Sequence, residues 1–440
     1  MSPSDHAGPR PPVLRQGIRQ NRALFSHLLL QVLLVGLTIG MMRTVIPALA
    51  ESDFGLPAND FFLLCTFVIA FGVVKGCMNF VAGRLAEHLG RKRVLQLGWL
   101  VALPIPLMIA YAPSWNWIVA ATLLLGVNQG LAWSMSQTSK LDITAPEQRG
   151  LTLGLNELAG YMGVALAGIL TAYLAEIAGV RQSLLGFGLV VIVSGLLLST
   201  LCVVETRDWI IPVQGKRASP PAASASRLPT GLPAVPGTFE ILRHVSWRDR
   251  RLAALMQAGL VERFVDALVW IFYPVYLSQQ GVKLADAAWI IGIYGGTWGL
   301  SQLLTGHWSD RIGRQRLNVL GMWLCGLSVL MMPWHASLLW WSSCAALTGF
   351  GMAMLYPNLA AAVADLSAPE WRGSSIGIYR FWRDLGYAVG ALVLGLGTGL
   401  SGDVATSFWI TGIAMLISGV LLAWQGEESS PYLKTISSQV

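Results

Sequence analysis

Nine ionisable side chains stand inside stretches that are otherwise long and apolar: Arg43, Lys75, Glu157, Glu262, Arg263, Asp266, Arg380, Arg383 and Asp384. A charge in such surroundings costs several kcal/mol unless it has a partner or faces a wet path. Each is therefore a candidate to move an ion or to hold a charged solute. Glu262 and Asp266 are four residues apart and share a helical face, with Arg263 three before Asp266. A buried carboxyl there can load and release a proton. Asp266 is the leading coupling or substrate-contact candidate and Glu262 the second, with a plain interfacial salt bridge as the alternative for Glu262 and Arg263. Arg380 and Asp384 are also four apart, with Arg383 beside them. They read either as a structural ion pair or as a guanidinium grip on an anion, and Arg43 supports the second reading. Lys75, in the cytoplasmic third of its stretch, has the reach to snorkel to an interface. Trp133, Trp270, Tyr273 and Tyr356 are candidates to line the same site.

The elements that position these residues follow from composition. Only 12% of the 440 residues are charged and 54% are hydrophobic, with a mean hydropathy of +0.57. A soluble protein carries roughly 25% charged residues, so this chain is an integral membrane protein. A span takes about 20 apolar residues. Helices are expected near 26–50, 58–82, 94–112, 116–140, 152–176 and 184–204, then 252–279, 287–307, 317–335, 338–362, 374–400 and 404–424. The fold class expected is all-α, with an N-terminal tail (1–25), a six-helix bundle (26–204), a linker (205–250), a second six-helix bundle (251–424) and a C-terminal tail (425–440). The linker from Pro212 to Gly237 is rich in Pro, Ala, Ser and Gly, a composition that stays flexible. Arg243, Arg248, Arg250 and Arg251 then lead into the seventh helix, through a short amphipathic stretch.

Basic residues fall almost entirely in the tails, the linker and alternate loops, while the opposite loops hold Arg181 and Lys283. The positive-inside rule then places both termini in the cytoplasm. The net charge of +7 is mainly this topology signal, and no soluble domain is present to bind nucleic acid. The five cysteines (Cys65, Cys77, Cys202, Cys325 and Cys344) lie in apolar stretches without CxxC spacing and read as small buried hydrophobes. Scattered histidines mark no metal site. No cofactor is implied: GxxxxGK[ST] and HExxH are absent, as is any nucleophile–base pair, so an enzyme is not expected. The polar, Pro-rich first 25 residues do not read as a cleavable signal.

The two halves repeat at an offset of 223 residues. Gly83-Arg84-Leu85-Ala86-Glu87-His88-Leu89-Gly90-Arg91 returns as Gly306-His307-Trp308-Ser309-Asp310-Arg311-Ile312-Gly313-Arg314. DITAPEQRG at 142–150 returns as DLSAPEWRG at 365–373. Parallel repeats of this kind place a solute site between the halves, near the middle of the bilayer. Arg43 and Asp266 occupy matching positions with opposite charge, as do Glu157 and Arg380.

These loops resemble the signature of the major facilitator superfamily. The resemblance implies twelve helices and secondary transport by alternating access. It makes Gly83, Glu87, Gly90, Arg91, Glu147, Arg149, Gly306, Asp310, Gly313, Arg314, Glu370 and Arg372 a cytoplasmic gate, whose arginines pair with acids such as Glu147 and Glu370. Gln129-Gly130 is present, but Gly126 stands where proton-linked members often carry arginine. The fifth helix has Gly154, Gly160, Gly163 and Gly168 without proline, which demotes drug–proton antiport. The runs Arg43 to Pro47, Lys75-Gly76 and Asn128 to Leu131 resemble a bacterial subgroup containing magnetosome-associated facilitators, implicated in iron supply. The expected partners are a lipid bilayer, a small solute and a coupling ion, with the proton favoured; the expected state is a monomer in a bacterial cytoplasmic membrane or, on the narrower resemblance, a magnetosome membrane. A small organic anion suits the buried basic residues. An iron complex, a drug and a non-transporting receptor are the alternatives.

Overall fold

A computed structural model describes residues 15–43, 45–55, 60–145, 148–210, 238–368 and 371–429. Among these described residues twelve long helical segments cross the body: α1 Arg22–Arg43, α2 Phe61–Leu89, α3 Arg91–Ala110, α4 Trp115–Ile143, α5 Arg149–Ala178 and α6 Val180–Leu201 in the first half. The second half holds α7 at 250–279, α8 Leu284–Ile312, α9 Arg314–Trp334, α10 Leu338–Leu366, α11 Arg372–Ser401 and α12 Ala405–Gln425. Ten are long and apolar enough to cross a membrane by composition alone. The other two, α7 and α8, match them in length, and α7 carries the acidic and basic cluster that lowers its apolarity.

The first span is shorter than the sequence suggests. It stops at Arg43, and a separate short helix, Ile46–Ser52, follows. Pro47 has no N–H to offer the Arg43 carbonyl, and its ring crowds that position. The helix therefore breaks next to a candidate site residue.

The halves pack by the same plan. α1 lies against α5 as α7 lies against α11, α2 against α4 as α8 against α10, and α3 against α6 as α9 against α12. Glycines set the first contact in both halves. A Cβ on Gly163 would stand 2.3 Å from the Leu33 carbonyl oxygen, and one on Gly386 2.2 Å from that of Leu260. Small residues let membrane helices approach this closely. Between the halves run two seams, α2 with α11 and α5 with α8. At the first, a Cβ on Gly72 would stand 2.5 Å from the Ala388 backbone nitrogen.

The ends of the helices near the two termini carry the loop signature. Gly90 and Gly313 have φ of +87° and +110°, which side-chain-bearing residues rarely adopt. Each turns the chain straight into the next helix. A carboxylate caps each of those helices: Glu205 accepts from the Arg91 and Lys92 amides at 3.0 and 3.2 Å. Glu428 accepts from Arg314 and Gln315 at 2.8 and 3.2 Å. The two caps are themselves one repeat apart. Removing a capping carboxylate costs about 0.5–2 kcal/mol, so Glu205→Ala and Glu428→Ala should each lower the unfolding temperature in detergent. Unchanged melting would show that these caps bear no weight.

Arg91 pairs with Asp142 at 3.2 Å and Arg314 with Asp365 at 2.7 Å, again one repeat apart. The expected partners Glu147 and Glu370 lie outside the described residues, as do the side chains of Glu87, Arg149 and Asp310 and the surroundings of Gly306. Arg372 donates to its own loop, at Ser367 O. Gly83 meets nothing within 4 Å of a would-be Cβ, so close approach is not what needs a glycine there. The stretch before α7 folds as a short helix, Thr238–Arg243, followed by a π-helical turn, His244–Arg248. On the opposite face Arg181 donates to Asp53 at 2.6 Å. That hydrogen bond holds the Asp53 carboxyl below its ordinary range. Cys65, Cys325 and Cys344 are buried as expected, but Cys77 is exposed and Cys202 half-buried. Cys77 lies on an outward face of α2, and Cys202 just past the end of α6.

Candidate functional site

One layer of charge crosses the middle of the molecule, and Asp266 is its hub. Its carboxylate accepts from Arg43 at 2.9 Å, Tyr294 at 3.1 Å and Tyr387 at 3.0 Å, and it is also bonded to Arg263. The donors come from α1, α7, α8 and α11, so both halves meet at this group. The matching positions Arg43 and Asp266 are thus in direct contact across the repeat axis. The π-helical turn Leu268–Phe272 directly follows the hub, and it places Trp270 with its ring centre 5.4 Å from the Arg43 guanidinium. Such bulges occur often where a helix carries function.

Arg263 sits in an aromatic cage, 5.4 Å from Trp298 and Tyr356 and 5.2 Å from Tyr387. It also donates to the hydroxyls of Tyr161 and Tyr387. Glu262 lies beside it, 3.5 Å from its Nε. Neither residue is at the interface: Glu262 is 0% and Arg263 1% exposed. The interfacial salt bridge is therefore corrected to a central one, because α7 starts at residue 250 and buries both a full three turns in.

A second cluster surrounds Asp384. Arg383 donates to it through two nitrogens at 3.0 and 3.1 Å, Asn79 bonds to it, and Lys75 stands 3.9 Å away. Lys75 does not snorkel. It is 7% exposed, held by that carboxylate and by the faces of Phe71, Trp133 and Tyr387. Arg380 does not pair with Asp384, despite the helical spacing. It donates instead to Gln137 of α4 at 2.7 Å, bridging the halves on the side of the termini, and Arg383 takes the carboxylate. Glu157 accepts from Asn156 at 2.8 Å and Trp133 at 3.4 Å.

Of the four aromatic candidates, Trp133, Trp270 and Tyr356 border the layer. Tyr273 does not: it stacks on Phe408 of α12, 5.4 Å away, because the π-helical turn Leu268–Phe272 between it and Asp266 rotates it off the face the hub occupies. Tyr161, Tyr294, Trp298, Tyr387, Asn79 and Gln137 are part of the site without having been singled out. The repeat offset could have pointed to three of them: Tyr294 matches Phe71, Trp298 matches Lys75, and Tyr161 matches Asp384. Lys140 was also passed over. It is fully buried and donates to Leu28 O at 2.9 Å.

The layer is shut on both sides. Arg43, Lys75, Glu157, Glu262, Arg263, Asp266, Arg383 and Asp384 are each no more than 7% exposed. Away from the termini, Phe61 packs on Phe272 and Phe67 and Phe71 pack on Trp270. Towards the termini, the Arg380–Gln137 bridge spans the halves. Four cations and four carboxylates balance within this enclosed set. Among the described residues no three His, Cys, Asp or Glu side chains group as a metal site.

Such a two-fold body, with an enclosed polar layer at the junction, suits a solute path that opens to one side at a time. Comparison with known proteins agrees. The sequence profile of the Major Facilitator Superfamily matches residues 28–261 and 255–438. A gallate transporter of Pseudomonas putida is 25% identical over 394 residues, covering 84% of each chain. A multi-drug resistance efflux pump PmrA homolog of Lactococcus lactis is 23% identical over 367 residues, covering 82% of this chain and 84% of that one. The crystal structure of a D-xylose–proton symporter superposes with a TM-score of 0.72 at 15% identity, covering 93% of this chain and 98% of that one. Repeat, loop signature, helix packing and profile agree: this chain belongs to the major facilitator superfamily, and it is a membrane transporter rather than an enzyme.

Proposed function

We propose that the protein carries a small organic anion by alternating access, coupled to protons, with the central layer as its binding site. The observation that carries this reading is the convergence of Arg43 and Arg263 on a single carboxylate, Asp266. Two guanidiniums holding an internal carboxylate are arranged as they would hold an incoming one, since guanidinium matches a carboxylate in bidentate geometry. The aromatic walls at Trp270, Trp298 and Tyr356 suit a flat organic body, and the similarity to a gallate transporter points the same way. Because the layer is balanced in charge, an anion entering alone would leave a buried negative charge, and a proton entering with it removes that cost. The basic loops and tails support a cytoplasmic location for both termini, in a bacterial cytoplasmic membrane, with the monomer as the working unit. The gate pairs Arg91–Asp142 and Arg314–Asp365 would close the cytoplasmic side and part when it opens.

The test is proton flux into proteoliposomes challenged with gallate, other organic anions, cationic drugs, ferrous iron and ferric citrate. Proton movement evoked by carboxylates, and lost in Arg43→Ala, supports the reading. A response to drugs alone would favour antiport, and one to iron species alone the narrower iron resemblance. Specific binding without turnover would favour a receptor. Arg380→Ala should reduce gallate flux about tenfold or less, since Arg380 bridges the halves through a neutral partner. A total loss would place Arg380 in the binding site itself.

A further inference from the structure

The four carboxylates of the layer are not equally held. Asp266 has four donors, two of them guanidiniums. Asp384 has Arg383, Asn79 and the nearby Lys75. Glu157 accepts two hydrogen bonds through one oxygen. Glu262 is different. It is 0% exposed, and neither of its oxygens accepts a hydrogen bond. Its nearest cation is the Arg263 Nε at 3.5 Å, and that nitrogen has no hydrogen-bond acceptor either. The Nη1 of the same guanidinium is turned to Asp266, Tyr161 and Tyr387.

The groups that face Glu262 are few. Its own helix supplies Arg263 and Asp266, α11 supplies Tyr379, Arg383 and Asp384, and α9 supplies Cys325. The Tyr379 hydroxyl, like Glu262, has no hydrogen-bond partner. A carboxylate left this way inside a protein has lost its hydration with no donor in its place, so it has no hydrogen bond to give up when it takes a proton. Taking a proton onto Asp266 would instead strand two guanidiniums, and onto Asp384 would strand Arg383 beside Lys75.

We infer that Glu262 is the group that takes up and releases the transported proton, while Asp266 stays ionised as the counter-ion of Arg43 and Arg263. This rests on the proton-coupled anion reading above and divides the labour within it. A proton from the open side adds to the Glu262 carboxylate and gives a neutral acid. The Arg263 Nε, no longer facing a charge, is then free to receive the carboxylate of the cargo. When the layer opens to the other side the anion leaves, and the proton leaves Glu262 for water.

The test is Glu262→Gln, a neutral side chain of the same shape, in proteoliposomes with gallate as the probe. Exchange of external for internal gallate should persist, accumulation driven by a proton gradient should vanish, and the pH dependence of exchange should flatten. Glu262→Asp should keep coupling with a displaced pH midpoint. In parallel, infrared difference spectra of the purified protein across a pH step should show a protonated-carboxyl C=O band that Glu262→Gln removes. Proton-driven accumulation by Glu262→Gln, or a band that survives the substitution, overturns the assignment. If the wild type moves no carboxylate at all, the cargo reading fails. The infrared comparison needs no cargo and still decides whether Glu262 exchanges a proton.

Discussion

Asp266→Asn is expected to abolish transport and to cost more stability than any other single change in the layer. The substitution keeps the shape but removes the charge that holds Arg43 and Arg263. Both guanidiniums are essentially unexposed, at 2% and 1%; Arg43 bonds to no other carboxylate among the described residues, and Arg263 keeps only Glu262, 3.5 Å from its Nε and not hydrogen-bonded to it. Breaking a buried pair from one side costs about 3–5 kcal/mol, because the partner charge is left uncompensated. Arg43→Gln should cost less, since Asp266 keeps Arg263 and two tyrosine hydroxyls. Chemical denaturation of the purified protein gives the order of the two, and gallate uptake gives the functional loss. Equal costs, or an active Asp266→Asn protein, would remove Asp266 as the hub.

The second large effect is conformational. Gly72 lets α2 lie directly on the α11 backbone at Ala388, and a leucine there has no room. Overpacking of this kind costs about 1–3 kcal/mol, which displaces a two-state balance by roughly 5–150-fold. The penalty falls on the closed state only, so Gly72→Leu should open the α2–α11 seam while each half stays folded. Cys65 reports the change. It is 0% exposed, and Gly395 of α11 packs against its sulfur. With the other four cysteines replaced, Cys65 should pass from unreactive to maleimide-labelled when leucine is introduced, and gallate flux should fall. If Cys65 stays protected, the seam closes by some other contact.

Much of this was legible in the sequence, for identifiable reasons. Long apolar runs have one solution in a bilayer, and the constant offset of 223 residues makes the halves equivalent from sequence alone. The offset also placed Arg43 opposite Asp266. Spacing along a single helix was less informative. Arg380 and Asp384 satisfy i, i+4, yet Arg383 reaches the carboxylate and Arg380 crosses to Gln137, because the neighbouring helices decide which rotamer has a partner. The depth of Lys75 and Glu262 was misjudged for a related reason: a helix that extends beyond the hydrocarbon shifts the midplane along its sequence. Glu205 and Glu428 were hidden because each stands where a span gives way to a polar segment, and neither looked like part of the gate. The first helix was drawn too long, although Pro47 was there to be read.

The claim beneath all of this is that one central layer is exposed to the two sides in turn. Spin labels test it directly at two pairs of exposed residues, each pair one repeat apart: Arg93 with Arg316 near the termini, and Tyr111 with Trp334 on the opposite face. Double electron–electron resonance distances in lipid, recorded across pH and with gallate, should be anticorrelated. Conditions that lengthen the Tyr111–Trp334 distance should leave Arg93–Arg316 short, and the reverse. Two distances that never change, or that lengthen together, would contradict alternating access through this layer.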